Sequence, residues 1–374
     1  MTSWTGLQRR EGCGFLRWLK KETALERGFD DLAGALRLLL DDWVRSEQDV
    51  REVWAATSAV VAQCNEEDTY CMPGAARAYA WLHLLDRYVR TWFALQRLVE
   101  QRILPMGKEG VHALDVGTGP GPSAFAVHDF FAAMVRYSEG PGSRRWRQPT
   151  RIACVEFADR MNHFRHNLAE RLYVGGAPKA VLQVCGHIRD FRSVSPARER
   201  RKENERLRNA EDHYWDEDSG ESESESLYSP EEANWMANDL HRYRLFMFSN
   251  FLTNPCTVER FRRNLTDLLS DAHPGSVLLL VGGKGHDYPE VYGEVAGLAR
   301  DAGFSREAEC GEVSCSGAGM HRRVHAEQVG FYRRLRDIVG DLHAADSVAT
   351  ELTREFEGEL PGKSPKSAVR AWRK

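Results

Sequence analysis

The chain contains the segment Val111-His112-Ala113-Leu114-Asp115-Val116-Gly117-Thr118-Gly119-Pro120-Gly121-Pro122. Residues 111–116 have the pattern of a short buried strand, and residues 122–137 have the pattern of a helix. A glycine turn between two such elements lets the main chain approach a ligand closely, because no Cβ atoms stand in the way. The unpaired N–H groups at the start of the helix also point toward such a ligand. The segment therefore predicts a strand–turn–helix unit with a ligand at the turn.

Strand and helix patterns alternate through most of the chain after this segment. The further runs of strand length are residues 151–156, 180–185, 243–249, 276–281, 306–314 and 367–372. The helix-like stretches are residues 160–172, 258–269, 288–302, 321–342 and 347–356. Such alternation is typical of βαβ units. We predict an α/β fold with a doubly wound, mostly parallel sheet of seven strands, the last of them antiparallel.

The first part of the chain has a helical period instead. Apolar side chains recur at spacings of three and four, most clearly over residues 29–43 and 79–98. We predict a helical N-terminal cap over residues 1–108 and a Rossmann-like domain over residues 109–374, with a helical C-terminal addition at 321–360. Apolar stripes of this kind usually form core. In a second interpretation, the aromatic side chains of the cap line an apolar ligand pocket.

Residues 196–232 interrupt the alternation. They contain few aliphatic side chains, an Arg-rich first part and an acidic second part with alternating Ser and Glu at 221–226. This composition cannot bury enough apolar surface to offset the entropy lost on ordering. We predict a disordered acidic insertion between two core strands. A basic arm for RNA and a Ser-phosphorylation tract are the alternatives.

Composition argues against several classes of protein. The 374 residues include 51 Lys and Arg against 55 Asp and Glu, a formal net charge of −4, which is not that of a dedicated nucleic-acid-binding protein. No apolar run reaches the roughly 18–20 residues that a membrane span needs, and the N-terminal residues lack a signal-like apolar core. We therefore expect a cytoplasmic protein without a membrane partner. The eight cysteines have irregular spacings that predict neither a disulfide scaffold nor a metal site.

Glu156 ends the second predicted strand, where a carboxylate can accept hydrogen bonds from two ribose hydroxyls. Two cofactor classes use a glycine turn beside such an acid. A dinucleotide site requires G-x-G-x-x-G/A, but the sixth position counted from Gly117 is Pro122. The pattern is instead acid-x-G-x-G-x-G. A nicotinamide-dependent dehydrogenase is therefore disfavoured.

The acid-x-G-x-G-x-G pattern resembles the first motif of the class I S-adenosylmethionine-dependent methyltransferases, and the resemblance covers about residues 111–192 and 243–304. The matching residues are Asp115, Gly117, Gly119 and Gly121. The resemblance implies S-adenosylmethionine (SAM) as the cofactor, with the Gly117-Thr118-Gly119 turn facing its methionine part. It also implies that Asp115 holds the amino group of SAM and that Glu156 binds the ribose hydroxyls.

Further site residues follow from the same resemblance. His187 and Ile188 come after the third predicted strand, where the family often has an acid beside the adenine. Ser249 and Asn250 lie at the tip of the fourth strand, where family members place residues between the cofactor and the methyl acceptor. This tip lacks the D/N/S-P-P-Y/F/W box of amino-methylating nucleic-acid enzymes. His286, after the fifth predicted strand, is the candidate catalytic base.

The function that the resemblance implies is transfer of a methyl group from SAM to an oxygen or nitrogen atom of an acceptor. The slightly acidic net charge favours a small molecule or a peptide as the acceptor, and RNA is the third candidate. The alternative is a methyltransferase-like protein that binds RNA or assists ribosome assembly with weak or no catalysis. The Arg-rich part of residues 196–232 and a basic C-terminal tail would supply its cations. The tail residues are Lys363, Lys366, Arg370, Arg373 and Lys374.

Overall fold

The computed structural model describes most of the predicted elements. It covers residues 9–43, 46–61, 66–105, 111–140, 151–173, 243–285, 287–316, 319–339, 354 and 366–374, and the fold and site below are those of this part of the chain. The predicted strand at 180–185 and the predicted insertion at 196–232 lie outside the described residues, as does the predicted helix at 347–356 apart from residue 354.

Six strands of the described chain form one sheet. They are β1 (His112–Val116), β2 (Arg151–Val155), β3 (Tyr243–Ser249), β4 (Val277–Gly282), β5 (Ser305–Val313) and β6 (Ser367–Arg373). Their order across the sheet is β2-β1-β3-β4-β6-β5. β1 to β4 pair in parallel, whereas β6 is antiparallel to both of its neighbours. The mostly parallel sheet with an antiparallel last strand agrees with the prediction, and the count of seven strands stays a prediction.

Helices precede the sheet and alternate with its strands. Those before β1 are α1 (Arg9–Lys21), α2 (Ala24–Trp43), α3 (Glu47–Val61), α4 (Glu66–Cys71), α5 (Ala75–Tyr79), a π-helical turn (Ala80–Leu84) and α6 (Leu85–Glu100). The later ones are α7 (Pro122–Glu139), α8 (Asp159–Tyr173), α9 (Pro255–Ser270), α10 (Tyr288–Asp301) and α11 (Met320–Val339). In the described chain, no helix is both long enough and apolar enough to cross a membrane.

Both faces of the sheet are covered by helices, because strand side chains alternate between the two faces. On one face, Ala113, Leu245 and Leu279 belong to a hydrophobic cluster with the helices before β1 and with α7. On the other face, Leu114 and Phe246 belong to a second cluster with α9 and α10. The strands are buried on both sides, which explains why their sequences are continuous apolar runs.

Phe130 on α7 joins the helices before β1 to the sheet. Its side chain is fully buried, and its ring meets the rings of Phe15 and Trp92 edge to face, with centroids 5.5 and 5.2 Å away. Edge-to-face aromatic pairs stabilise a core beyond the area that they bury. Because these rings come from α1, α6 and α7, the cap helices and the sheet share one core.

We expect Phe130→Ala to lower the free energy of unfolding by about 3–5 kcal/mol, because the truncation leaves a cavity between three elements. Chemical denaturation followed by circular dichroism measures this loss. Leu38→Ala is the control, since Leu38 is 58% exposed and its removal should change stability by no more than about 0.5 kcal/mol. Equal effects of the two substitutions would contradict the shared core.

Candidate functional site

The carboxyl ends of β1, β2 and β3 meet at one edge of the sheet. β2 lies on one side of β1, while β3 and β4 lie on the other side. In open α/β sheets, ligands bind beyond the carboxyl ends of the strands at such a switch point. Gly117 follows β1, Glu156 follows β2, and Ser249 ends β3. The structure therefore places these predicted site residues at the same edge.

Hydrogen bonds hold the glycine turn against the end of β2. The N–H groups of Gly117 and Thr118 donate to the carbonyl oxygen of Val155 at 2.9 and 3.1 Å. The Thr118 hydroxyl donates to the carbonyl oxygen of Asp115 at 2.7 Å. Thr118 is buried and its hydroxyl is engaged within the turn, so its side chain has a structural role.

The three glycines of the turn have positive φ angles but different surroundings. The φ angles are +69° at Gly117, +56° at Gly119 and +98° at Gly121. A Cβ atom at Gly117 would lie 2.4 Å from the ring of Phe251, and one at Gly121 would lie 2.9 Å from side chains of α7 and α8. A Cβ atom at Gly119 would lie 3.7 Å from Tyr79, which is an ordinary contact. Gly119 is therefore the glycine of the turn that has room for a ligand beside it.

Glu156 is buried against the turn. Its Oε2 atom accepts a hydrogen bond from the Gly119 N–H at 2.8 Å, and its Oε1 atom accepts one from the Ala158 N–H at 3.0 Å. Burial raises the pKa of Glu156, although these two N–H groups and Arg165 act in the opposite direction. The Phe157 N–H also acts on this carboxylate, and the two oxygens together offer about four acceptor positions, more than these N–H groups fill.

Asp115 on β1 is an almost fully buried carboxylate with a 1% exposed side chain. Its Oδ2 atom has no hydrogen-bond partner among the described residues. Burial raises the pKa of Asp115 to about 8, with Arg165 lowering it and Glu156 raising it further. A buried acceptor without a partner costs free energy. A ligand with an ammonium group at the turn would satisfy this atom.

Arg165 on α8 lies beneath the turn with its side chain fully buried. Its Nη1 atom donates to the carbonyl oxygen of Gly119 at 3.2 Å, and its Nη2 atom donates to the Oδ1 atom of Asn162 at 2.6 Å. The guanidinium lowers the pKa of both Asp115 and Glu156. Arg165 therefore supports the turn and compensates part of the negative charge of the two carboxylates.

Arg165 is not among the residues that sequence patterns predicted for the site. Its signal is a charged side chain on an apolar helix face, four residues after Met161 and three before Leu168, which are both buried. Positions on such a stripe are buried with the helix, and a buried Arg requires partners. The sequence pattern of α8 therefore indicates that Arg165 is buried and that it needs partners.

The tip of β3 lies beside the turn. Asn250 has a φ angle of +53°, a left-handed conformation that Asn adopts more readily than most residues. Its N–H group donates to the carbonyl oxygen of Val281 at 2.8 Å, which fixes the tip to the end of β4. Backbone in the left-handed region clusters at functional sites. The ring of Phe251, the next residue, lies against Gly117. Ser249 and Asn250 are therefore close to the glycine turn.

The helices before β1 add an aromatic wall to the site, formed by Tyr70, Tyr79, His83 and Arg87. Tyr79, which lies beside the open side of the turn, contacts the rings of Tyr70 and His83 edge to face at 5.6 and 5.0 Å. The Arg87 guanidinium lies 4.7 Å from the Tyr79 ring centroid and donates to its hydroxyl. His83 belongs to the π-helical turn, a feature often found at functional sites. Burial, with Arg87 and Arg90 nearby, holds the pKa of His83 well below its ordinary value.

Three predicted site residues, His187, Ile188 and His286, lie outside the described part of the chain. Their roles as adenine contacts and catalytic base stay predictions. Tyr288, two residues after His286, begins α10, and its ring lies where a Cβ atom on Gly282 would come within 2.5 Å.

The described part of the basic C-terminal tail forms β6 within the sheet. Lys366 pairs with Glu312 at 2.7 Å, and the Arg370 guanidinium lies 5.7 Å from the centroid of a tyrosine ring on α10. The Nζ atom of Lys374 donates to two carbonyl oxygens at the end of α9, at 2.9 and 2.8 Å. These cations have partners within the chain, which does not favour the tail as an RNA-binding arm. Among the described residues, no three His, Cys, Asp or Glu side chains converge as metal ligands.

Known proteins resemble the chain only distantly. An arsenic(III) S-adenosylmethionine methyltransferase from Chlamydomonas reinhardtii matches with 15% identity and a TM-score of 0.28, over 72% of this chain and 64% of that one. Coclaurine N-methyltransferase, solved with N-methylheliamine and SAH, matches with 12% identity and a TM-score of 0.38, over 97% and 100%. Human N-acetylserotonin methyltransferase, solved with SAM, matches with 12% identity and a TM-score of 0.26, over 79% and 65%.

The chain spans slightly less than two thirds of the arsenic and N-acetylserotonin enzymes. No protein-family model matches the sequence, and no curated protein matches it either. At these identities and TM-scores, the matches carry no argument about this chain. The proposals below depend on the residues of this chain.

Asp115 makes stability depend on pH in a defined direction. Its pKa in the folded chain, about 8, lies above the ordinary value of 3.8, so the folded chain holds a proton that the unfolded chain releases between these values. The stabilisation is present below 3.8, declines as the pH rises and is lost above about 8. Relative to Asp115→Asn, we expect the wild-type free energy of unfolding to fall by up to about 1.4 kcal/mol per pH unit between pH 5 and 7.

Chemical denaturation of the ligand-free protein at several pH values measures this difference. Asp301→Asn, which removes an exposed carboxylate at the end of α10, is the control and should leave the pH profile unchanged. Parallel profiles for the wild type and Asp115→Asn would show that Asp115 is ionised in the folded chain, against this prediction.

Proposed function

We propose that the protein is a SAM-dependent methyltransferase that transfers a methyl group to an oxygen or nitrogen atom of a small-molecule or peptide acceptor. The observation that carries this proposal is the arrangement of Asp115 and Glu156 beside the open side of the turn at Gly119. One oxygen of Asp115 lacks a partner among the described residues, and Glu156 has more acceptor positions than the N–H groups that donate to it. SAM presents an ammonium group and two ribose hydroxyls, which are the donors that these carboxylates require.

The residues present fit this cofactor in three places. Asp115 would accept a hydrogen bond from the amino group of SAM, the turn at residues 117–119 would lie against the methionine part, and Glu156 would hold the ribose hydroxyls. The tip of β3, at Ser249 and Asn250, lies on the other side of β1 from Glu156. It would therefore face the methyl acceptor.

Charge and helix geometry distinguish this cofactor from a dinucleotide. A dinucleotide places its pyrophosphate at the turn and at the N-terminus of the following helix. Asp115, Glu156 and Arg165 together carry no net positive charge to attract that anion. The first residue of α7 is Pro122, which has no N–H group to donate to phosphate. The ammonium and sulfonium groups of SAM are cations, and a cation bound beside Asp115 would lower its pKa and favour its ionised form.

Bound SAM supplies a methyl group that is already activated on a sulfonium. The chain must hold the acceptor in line with that group and exclude water. Tyr79 and Phe251 lie beside Gly119 and Gly117 and cover two sides of the turn. An acceptor that carries a proton on the reacting atom would have to pass it to a base within hydrogen-bond reach. His286 is the base that the sequence predicts.

The alternative function, an RNA-associated binding protein, has no support in the described contacts. Its Arg-rich segment lies outside the described residues. The described cations of the tail have partners within the sheet region. A methyltransferase is therefore the function that the geometry supports best.

Gly119→Arg should lower the affinity for S-adenosylhomocysteine (SAH) by at least about tenfold, because the new side chain would enter the space beside the turn. Isothermal titration calorimetry measures the affinity. Gly311→Arg is the matched control: this glycine on β5 also has a positive φ angle, +76°, and open space around it. It carries the same backbone cost without touching the turn.

We expect Gly311→Arg to bind SAH as the wild type does. Equal affinities for Gly119→Arg and the wild type would remove the turn from the cofactor site. SAH release from SAM, measured with small-molecule, peptide and RNA fractions of a cell extract, then tests the acceptor class. Release that depends on the RNA fraction alone would contradict the proposed acceptor.

A further inference from the structure

The π-helical turn at Ala80–Leu84 determines how the aromatic wall is arranged. Tyr79 comes directly before this turn, and Arg87 follows it on α6, eight positions further on. Over that interval, an unbroken α-helix would leave the two side chains roughly 80° apart around the helix axis. A π-helical turn contains about one residue more than an α-helical turn, which reduces this offset to roughly 20°. The Arg87 guanidinium can therefore lie over the Tyr79 ring, 4.7 Å from its centroid.

Helix α11 holds the π-helical turn through two hydrogen bonds at one residue, Gln328. The Gln328 Nε2 atom donates to the carbonyl oxygen of Leu82 at 2.7 Å, and the Trp81 Nε1 atom donates to the Gln328 carbonyl oxygen at 3.0 Å. The Trp81 ring also packs against Phe331 of α11, with centroids 5.3 Å apart, and both side chains are buried. The α-helical hydrogen-bond ladder is interrupted at a π-helical turn, so a side-chain donor to one of its carbonyl oxygens stabilises this form.

Helix α11 is a well-packed support for these contacts. Three side chains of its apolar face belong to the hydrophobic cluster of α7 and the helices before β1: Val324, Tyr332 and Leu335. Next to Gln328, Glu327 forms a 3.1 Å ion pair with Arg37 of α2. Because an ion pair with an exposed partner contributes little stability, the core contacts fix the position of α11.

We propose that Gln328 is a positioning residue of the site: by holding the π-helical turn, it fixes Tyr79 beside the glycine turn at Gly119. The inference rests on the proposed function, because the ligand proposed at this turn is SAM. Gln328 acts through Tyr79, whose ring lies 3.7 Å from the position of a Cβ atom on Gly119. Absorbing the extra residue into an α-helix would rotate Tyr79 by roughly 100° relative to α6. Its ring would then leave the glycine turn.

Gln328→Met removes the side-chain donor and keeps the length of the side chain. We expect it to weaken SAH binding to the full-length protein by about three- to tenfold, the factor that one lost hydrogen bond is worth. Isothermal titration calorimetry measures this change. Gln48→Met is the matched control, since the Gln48 side chain donates to Glu52 at 3.2 Å on the exposed surface of α3. It should bind SAH as the wild type does.

The same substitution in a Tyr79→Leu protein separates positioning from a general loss of packing. Tyr79→Leu alone should weaken SAH binding, because the Tyr79 ring lies beside the glycine turn. In that background, Gln328→Met should change the affinity by less than about 1.5-fold, since the ring through which Gln328 acts is absent. An equal loss in both backgrounds, or no loss from Gln328→Met alone, would overturn the proposal.

Hydrogen exchange of the backbone amides at residues 80–84 tests the turn without any ligand. We expect faster exchange there in Gln328→Met and unchanged exchange at residues 122–139 of α7. Unchanged exchange at residues 80–84 would overturn the inference. Wild-type protein that does not bind SAH would refute the proposed function, whereas the exchange result alone decides whether Gln328 holds the turn. If Gln328→Met does not fold, Trp81→Phe replaces it in both experiments, because it breaks the other hydrogen bond and keeps a ring against Phe331.

Discussion

Two carboxylates, Asp115 and Glu156, are buried together beneath the glycine turn, and the site depends on how the chain tolerates them. Like charges in a poorly solvated region repel, and burial alone disfavours each ionised form. The chain offsets this cost with the Arg165 guanidinium, with the N–H groups of Gly119 and Ala158, and by keeping Asp115 protonated up to a pKa of about 8. The compensation is incomplete, since one oxygen of Asp115 has no partner within the part of the chain that the structure describes. A cationic ligand at the turn would complete it.

The strand–turn–helix unit was predictable because its signals are local. Arg165 was harder to foresee, because its hydrogen bond to the turn joins residues 46 positions apart. The glycine pattern predicted a turn, but it did not show which glycine faces a ligand. It suggested room for a ligand along the whole turn, whereas at Gly117 the missing Cβ atom makes room for Phe251. Which glycine faces a ligand depends on tertiary packing, and here Gly119 is the one.

The helices before β1 connect core packing with the aromatic wall beside the glycine turn. Helix α6 places Trp92 in the shared core against Phe130 and carries Arg87, whose guanidinium lies over the Tyr79 ring. The position of the aromatic wall is therefore fixed by well-packed rings, which is how a binding site becomes precise. Asp115 lies on β1 and Glu156 follows β2, whereas the aromatic wall comes from the helices before β1.

A crystal structure with SAH is the most direct test of the central claim, that the turn and the two carboxylates form a cofactor site. We predict ligand density at the carboxyl edge between β1 and β3, with the ribose hydroxyls within hydrogen-bond distance of Glu156 and the amino group on the Oδ2 atom of Asp115. A cleft without ligand at saturating SAH, or SAH bound elsewhere while that oxygen still lacks a partner, would contradict the claim.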